Sequence, residues 1–167
     1  MDARRSLKTR KMKNIFIICG FLFCTLSLSA QEKNDAWYVN FDEAAKLSMK
    51  TNKPILANFT GSDWCGWCIK LKREVFDTPS FKKWAKENVV LLELDYPRRT
   101  EQSEEIKKQN RELQQFFKVR GYPTLHMFSV GIADGKTQIT ALGKTGYIAG
   151  GPTPWIANAN KMLTTKK

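Results

Sequence analysis

The chain has 167 residues, of which 42% are hydrophobic and 26% charged. That is enough for one domain with a sizeable core, and it excludes a low-complexity or disordered protein. The formal net charge of +12 raises nucleic acid as a partner, but six basic residues and one acid lie in the first thirty positions, and the 22 basic and 15 acidic residues beyond them are mixed along helical stretches. That mixture is the pattern of solvated helix faces rather than of a nucleic-acid footprint.

Residues 1–30 follow the order of a secretory signal. A basic segment runs to Lys13, an apolar stretch covers Ile15 to Cys24, and small and polar residues, Ser27-Leu28-Ser29-Ala30, precede Gln31. The apolar run is short for a membrane span, which needs about 20 residues. Cleavage near Ala30 is expected, after Ala30 or after Ser29, and an uncleaved anchor is the alternative. Residues 31–36 read as a flexible leader and residues 37–167 as the domain.

Val39 and Phe41 are placed in a short first strand, and Asp42 is read as the N-cap of a helix through Lys50. Ile55 to Phe59 is an apolar run of the length and kind found in strands buried on both faces. A loop over 60–63 leads to Trp64-Cys65-Gly66-Trp67-Cys68, and a helix follows to about Phe76. Thr78-Pro79 starts the next helix, with Phe81, Trp84 and Ala85 inward. Residues 89–95 form a second buried strand, and residues 103–117 an amphipathic helix with Ile106, Leu113, Phe116 and Phe117 on its apolar side. Leu125 to Val130 is a third strand, Asp134-Gly135 a hairpin turn, and residues 138–142 a fourth strand. Gly143, Gly146, Gly150 and Gly151 mark a loose segment. Thr153 is read as the cap of a last helix that turns Trp155, Ile156 and Leu163 inward. The order β-α-β-α-β-α-β-β-α predicts an α/β fold, with a mixed central sheet between helices on both faces.

Two of the four cysteines, Cys19 and Cys24, fall in the signal segment; beyond it only Cys65 and Cys68 remain. The one bridge open within the domain is the C-x-x-C itself. The pair follows a buried strand and opens a helix. Free backbone N–H groups and the helix dipole there favour a thiolate on Cys65, the form that reacts in disulfide exchange. Cys68, one turn on, is placed to resolve a mixed disulfide. Trp64 and Trp67 crowd the sulfurs. Zinc needs about four ligands, and the domain has two cysteines and one histidine, His126, which sits in an apolar strand as a packed residue does. No metal site is expected.

Three landmarks resemble the thioredoxin-fold family. Ile55–Phe59 is similar to the strand before that family's active site. Trp64-Cys65-Gly66-Trp67-Cys68-Ile69-Lys70 is similar to its W-C-G-x-C-K turn, with one added residue. Val119-Arg120-Gly121-Tyr122-Pro123-Thr124-Leu125 is similar to the segment entering its cis-proline strand. The resemblance implies a thioredoxin-like three-layer sandwich and a cis Tyr122–Pro123 bond. It also implies a substrate surface of Trp64, Gly66, Trp67, Tyr122 and Pro123, flanked by the loop around Gly143–Gly146. The chain departs from the family where a buried aspartate assists the resolving cysteine: Asn58 stands there. The family's strand lysine falls at Leu91, and Glu93 is a substitute carboxylate to be considered.

The expectation is an exported thiol–disulfide oxidoreductase, periplasmic or secreted. It is expected to act as a monomer on cysteine-containing protein substrates with a redox partner protein, and to need no organic cofactor. It is expected to bind no nucleic acid, and to meet the membrane only if the N-terminal segment is retained. The alternatives are a redox-inert peptide-binding module and a membrane-anchored electron relay.

Overall fold

The structure, a computed structural model, describes residues 37–165. The expected signal segment, the leader and the last two residues lie outside the described part. Among the described residues no helix is long and apolar enough to cross a membrane.

Helix α1 (Phe41–Thr51) begins earlier than the sequence pattern predicts, because Asn40, not Asp42, is its cap. The Asn40 side chain accepts the Glu43 N–H at 3.0 Å, which leaves Asp42 and Glu43 in the first turn, where the helix dipole favours acids. The expected strand at Val39 and Phe41 shrinks to one parallel bridge, Tyr38 to Leu92, since Phe41 is already helical.

Strand β1 (Ile55–Thr60) is buried throughout. Helix α2 (Gly66–Leu71) does not continue as a regular helix to Phe76: Lys72–Phe76 is a π-helical turn. Asp77 N–H reaches the Lys72 carbonyl there, at 2.9 Å, so one extra residue is looped out per turn. Helix α3 (Pro79–Asn88) starts with Pro79 behind the Thr78 cap. Strand β2 (Val90–Asp95) and helix α4 (Glu104–Phe116) follow. Strands β3 (Thr124–Ala133) and β4 (Lys136–Thr145) form a hairpin longer than the pattern suggests. Its turn, Asp134-Gly135, has φ of 52° and 71°, as a two-residue turn of this hand requires. Helix α5 (Pro152–Leu163) starts behind Gly151 with no side-chain cap, so Thr153 is inside the helix and not its N-cap. The fixed φ of Pro152 serves as the start signal.

The sheet order is β2-β1-β3-β4. Strand β2 runs parallel to β1, while β3 is antiparallel to both β1 and β4. Alternation along β1 sends Ile55, Ala57 and Phe59 to one face, with α1 and Leu113 of α4. Leu56 goes to the other face, with the π-turn, α3 and α5. The result is a three-layer sandwich with a mixed sheet in the middle. Gly143 lies within β4 rather than in a loose segment, and a side chain there would run into Met162 of α5. A register shift at Met127/Phe128 absorbs Leu142 as an extra residue beside it.

Helix α5 docks through Trp155, Ala159 and Met162, all buried. Ile156 and Leu163 pack only at the margin of that core. Trp155 meets the rings of Phe76, Phe81 and Trp84 at 5.5–6.0 Å, and its indole N–H donates to the Gly146 carbonyl at 3.0 Å. Removing so large a buried side chain should cost about 3–5 kcal/mol. Trp155→Ala is therefore expected to lower the unfolding free energy read from urea denaturation by that amount; a loss below about 0.5 kcal/mol, the size of a surface change, would contradict this docking.

Candidate active site

Strand β1 ends at the sheet edge where the chain must turn to reach α2. Gly61 makes that turn possible: a side chain there would collide with the Trp64 indole. The Trp64 and Cys65 amides both bond back to the Gly61 carbonyl, at 3.3 and 2.9 Å.

Cys65 is the N-cap of α2, and its sulfur accepts the Cys68 N–H at 3.3 Å. The two cysteines form a disulfide with Cα atoms 5.2 Å apart. Both are largely buried, at 7% exposure for Cys65 and 4% for Cys68. The sequence-predicted residues divide into three groups around this pair.

Trp64 is fixed. Its indole N–H donates to the Tyr96 carbonyl at 2.8 Å, the Arg98 guanidinium lies over its ring at 4.0 Å, and Tyr122 meets it edge-on at 5.9 Å. Tyr122 is held in turn by Tyr96, at 5.1 Å, and by Gln114, whose amide donates to its hydroxyl at 2.8 Å. The Tyr122–Pro123 bond is cis. The segment before β3 is thus brought to the cysteine loop by ring contacts on Trp64. Gly146 lies close to the Pro123 carbonyl, so the end of β4 flanks the same turn.

Trp67 is presented to solvent, 58% exposed. It leans on Tyr147 at 5.1 Å, with the Lys70 ammonium over both rings. The Tyr147 hydroxyl donates to Glu74 at 2.6 Å; that bond, with Lys70 and Arg73 nearby, holds the Glu74 carboxyl below its usual range.

Gly66 is exposed and nothing would obstruct a side chain there, so packing does not require glycine at this position. His126 lies away from the pair, between the rings of Phe117 at 4.6 Å and Phe59 at 5.9 Å. Burial, and secondarily Lys144, lowers its pKa, as befits a packed neutral histidine.

Sequence reasoning missed two supports. Asp63 accepts the amides of Arg98 and Arg99, at 3.0 and 2.7 Å, and so ties the cysteine loop to the chain after β2. Asn110 of α4, only 1% exposed, donates to the Asp95 carbonyl at 2.9 Å, and its own carbonyl receives the Tyr96 hydroxyl at 2.6 Å. A polar residue on the apolar stripe of an amphipathic helix, at i−3 from Leu113, was the available signal for it.

A disulfide at a helix start, behind a fully buried strand and beside a cis-proline turn, defines a class: thioredoxin-fold proteins with a redox cysteine pair. A family described as "Thioredoxin-like" matches residues 36–129, and the chain belongs to it. It is 34% identical over 124 residues to "Disulfide bond reductase DsbH" of Chlamydia pneumoniae, covering 74% of this chain and 70% of the relative. It is 30% identical over 131 residues to "Thioredoxin-related protein DsbJ" of the same organism; 75% of this chain is covered, but only 38% of that longer protein. Among solved structures it resembles a "DsbH Oxidoreductase" at TM-score 0.68 and 33% identity, over 77% of this chain and 84% of that one. A thioredoxin from Thermus thermophilus shares the fold at TM-score 0.53 and 16% identity, over 75% and 84%. With this cysteine pair and these relatives, the chain is a thiol–disulfide oxidoreductase.

The Arg98 N–H does most to hold the Asp63 carboxyl below its ordinary value; desolvation opposes it, and the Arg99 and Thr100 amides add to it. A carboxylate with a depressed folded pKa stabilises the fold fully above its unfolded value, and the contribution disappears as pH falls through the folded value. The amide protons of Arg98 and Arg99 should therefore titrate together with a midpoint below 3.8. Asp63→Asn should abolish that titration, read from amide chemical shifts; a midpoint at or above the ordinary value would refute the loop tie.

Proposed function

We propose that this protein is exported and reduces disulfides in cysteine-containing proteins, with Cys65 as nucleophile and Cys68 as resolving thiol. The observation that carries the assignment of roles is the cap geometry. Cys65 sits at the helix start with its sulfur already accepting the Cys68 N–H, so the same donor and the helix dipole stabilise its thiolate once the pair is reduced. Cys68 lies one turn further along, slightly less exposed and within bonding reach of the Cys65 sulfur.

In the reductive direction, the Cys65 thiolate attacks a substrate disulfide and expels one substrate thiolate. Cys68 then attacks the Cys65 sulfur of the mixed disulfide, releasing the second substrate thiolate and leaving the Cys65–Cys68 disulfide. A redox partner protein reduces that disulfide for the next turnover. No metal or organic cofactor enters these steps. The name of the DsbH relative supports the reductive direction, and the signal-like order of residues 1–30 supports export to the periplasm or beyond.

The exposed Trp67, braced by Tyr147, together with Trp64, Tyr122 and Pro123, forms the surface for an extended substrate segment. Trp67 brings a large rigid face to the contact at low entropic cost. The exposed Gly66 leaves the approach to Cys65 open.

Cys68→Ser should accumulate a mixed disulfide through Cys65, visible as an added substrate mass that reductant removes. Cys65→Ser should lower exchange to the uncatalysed background. Equilibration of the wild-type pair in thiol buffers should give a potential of about −250 mV or lower; about −180 mV or higher would instead mark a disulfide-forming enzyme. A pair that does not exchange at all would leave a peptide-binding module as the better account.

A further inference from the structure

Behind Cys68 lies a cavity of about 130 Å³, room for a few waters at roughly 30 Å³ each. Its walls include Trp37, Asn58, Thr60, Cys68, Lys72 and Glu93. Asn58 and Glu93 are direct partners in the β1–β2 ladder, so their side chains leave the sheet on the same face, a strand spacing of about 4.8 Å apart. Asn58 is 4% exposed, and its Oδ1 has no hydrogen-bond partner among the described residues. A buried amide oxygen in that state calls for a donor. The side chain on the next strand is a carboxyl, which donates when protonated and only accepts when ionised.

The surroundings raise the affinity of that carboxyl for a proton. Burial is the main cause that raises the Glu93 pKa, and Asp95 on the same strand adds to it, while Lys72 acts the other way. Lys72 is turned to Asp77 at 2.6 Å, and Asp95 is taken up by the Ser62 amide and hydroxyl. The remaining walls, Trp37, Thr60, Ser62, Cys68, Ile69 and Phe76, bring no carboxylate or ammonium to the cavity. The family's strand lysine has no counterpart either: Leu91, where the resemblance places it, is part of the apolar core.

We propose that Glu93 accepts the proton of the Cys68 thiol in the resolving step, through water in this cavity steadied by Asn58. The proposal rests on the assignment of Cys68 as the resolving thiol. In the mixed disulfide, Cys65 is bonded to the substrate sulfur and Cys68 carries a thiol. The proton passes to the Glu93 carboxylate. The Cys68 thiolate attacks the Cys65 sulfur, the Cys65–Cys68 bond forms, and the bond to the substrate sulfur breaks. That sulfur leaves as a thiolate with the electron pair; the substrate is reduced and the cysteine pair oxidised. The proton then leaves Glu93 for solvent. The acceptor is carried by β2, across the ladder from the position that the resemblance singles out.

The test uses the reduced full chain and Ellman's reagent. Attack by Cys65 releases the first thionitrobenzoate, and attack by Cys68 on the resulting mixed disulfide releases the second; the two are separated by stopped-flow absorbance over a range of pH. Glu93→Gln should slow the second release about tenfold or more near neutral pH and remove an inflection from its pH profile, while the first release is unchanged. Glu93→Asp, which keeps a carboxyl, should retain the inflection. An unaltered second release in Glu93→Gln overturns the proposal, and so does equal slowing of both releases, which would mark a structural role. A wild-type chain that releases no thionitrobenzoate overturns the exchange reading itself, and with it this step.

Discussion

The site depends on one constraint, the complete burial of β1. Every residue from Ile55 to Thr60 is buried, and the strand is hydrogen-bonded on both sides, to β2 and to β3. A slip of one residue would exchange its two faces and drive Asn58 and Thr60 among Ala44, Leu92 and Phe128. The register is therefore fixed, and with it the point where the chain leaves the sheet. Gly61, Trp64 and Cys65 follow at set distances. The parallel neighbour β2 ends at the same edge, so Tyr96, Arg98 and Arg99 are on hand to grip Trp64 and Asp63. A parallel pair makes this geometry natural, because both strands deliver their C-terminal loops to one side.

The two tryptophans of the Trp64-Cys65-Gly66-Trp67-Cys68 run do different work. Trp64 is a structural clamp: its indole N–H, its ring face and its ring edge are all engaged. Trp67 faces solvent, held at one edge by Tyr147. The spacing explains the division. Trp64 precedes the cap and lies over the loop, whereas Trp67 is in the first turn of α2, beside Tyr147. The same residue type three positions apart thus supplies a fixed clamp for the cysteine loop and a face open to solvent.

Much of this was legible in the sequence because its signals are local and strong. The apolar run of β1, the C-x-x-C behind it, Pro79 behind Thr78, the Asp134-Gly135 turn and the Tyr122-Pro123 landmark each need only a few neighbouring residues. What was not legible depends on competition between neighbours or on distant partners. Asn40 and Asp42 are both good caps, and tertiary packing of Phe41 against Phe128 favours the earlier start. Pro152 competes with Thr153 in the same way. The π-turn at Lys72–Phe76 keeps Val75 and Phe76 in the core after an irregular length of chain, which periodicity alone reads as continuous helix. The support from Asp63 and Asn110 depends on main-chain groups of Asp95, Arg98 and Arg99, residues distant in sequence.

The polar pair on the core side of β1 and β2 runs against the packing logic of its own strands. Leu56 and Leu91, on the same face, join a continuous apolar cluster with Val75, Phe76 and Trp155. An aliphatic pair at 58 and 93 would extend that cluster, fill the cavity behind Cys68 and remove the desolvation cost of a buried amide and a half-buried carboxyl. The chain instead keeps a small polar chamber where its ladder is otherwise apolar. Breaks of this kind in an otherwise consistent core are expected where chemistry rather than packing sets the residue. Here the break opens onto Cys68, the deeper member of the cysteine pair.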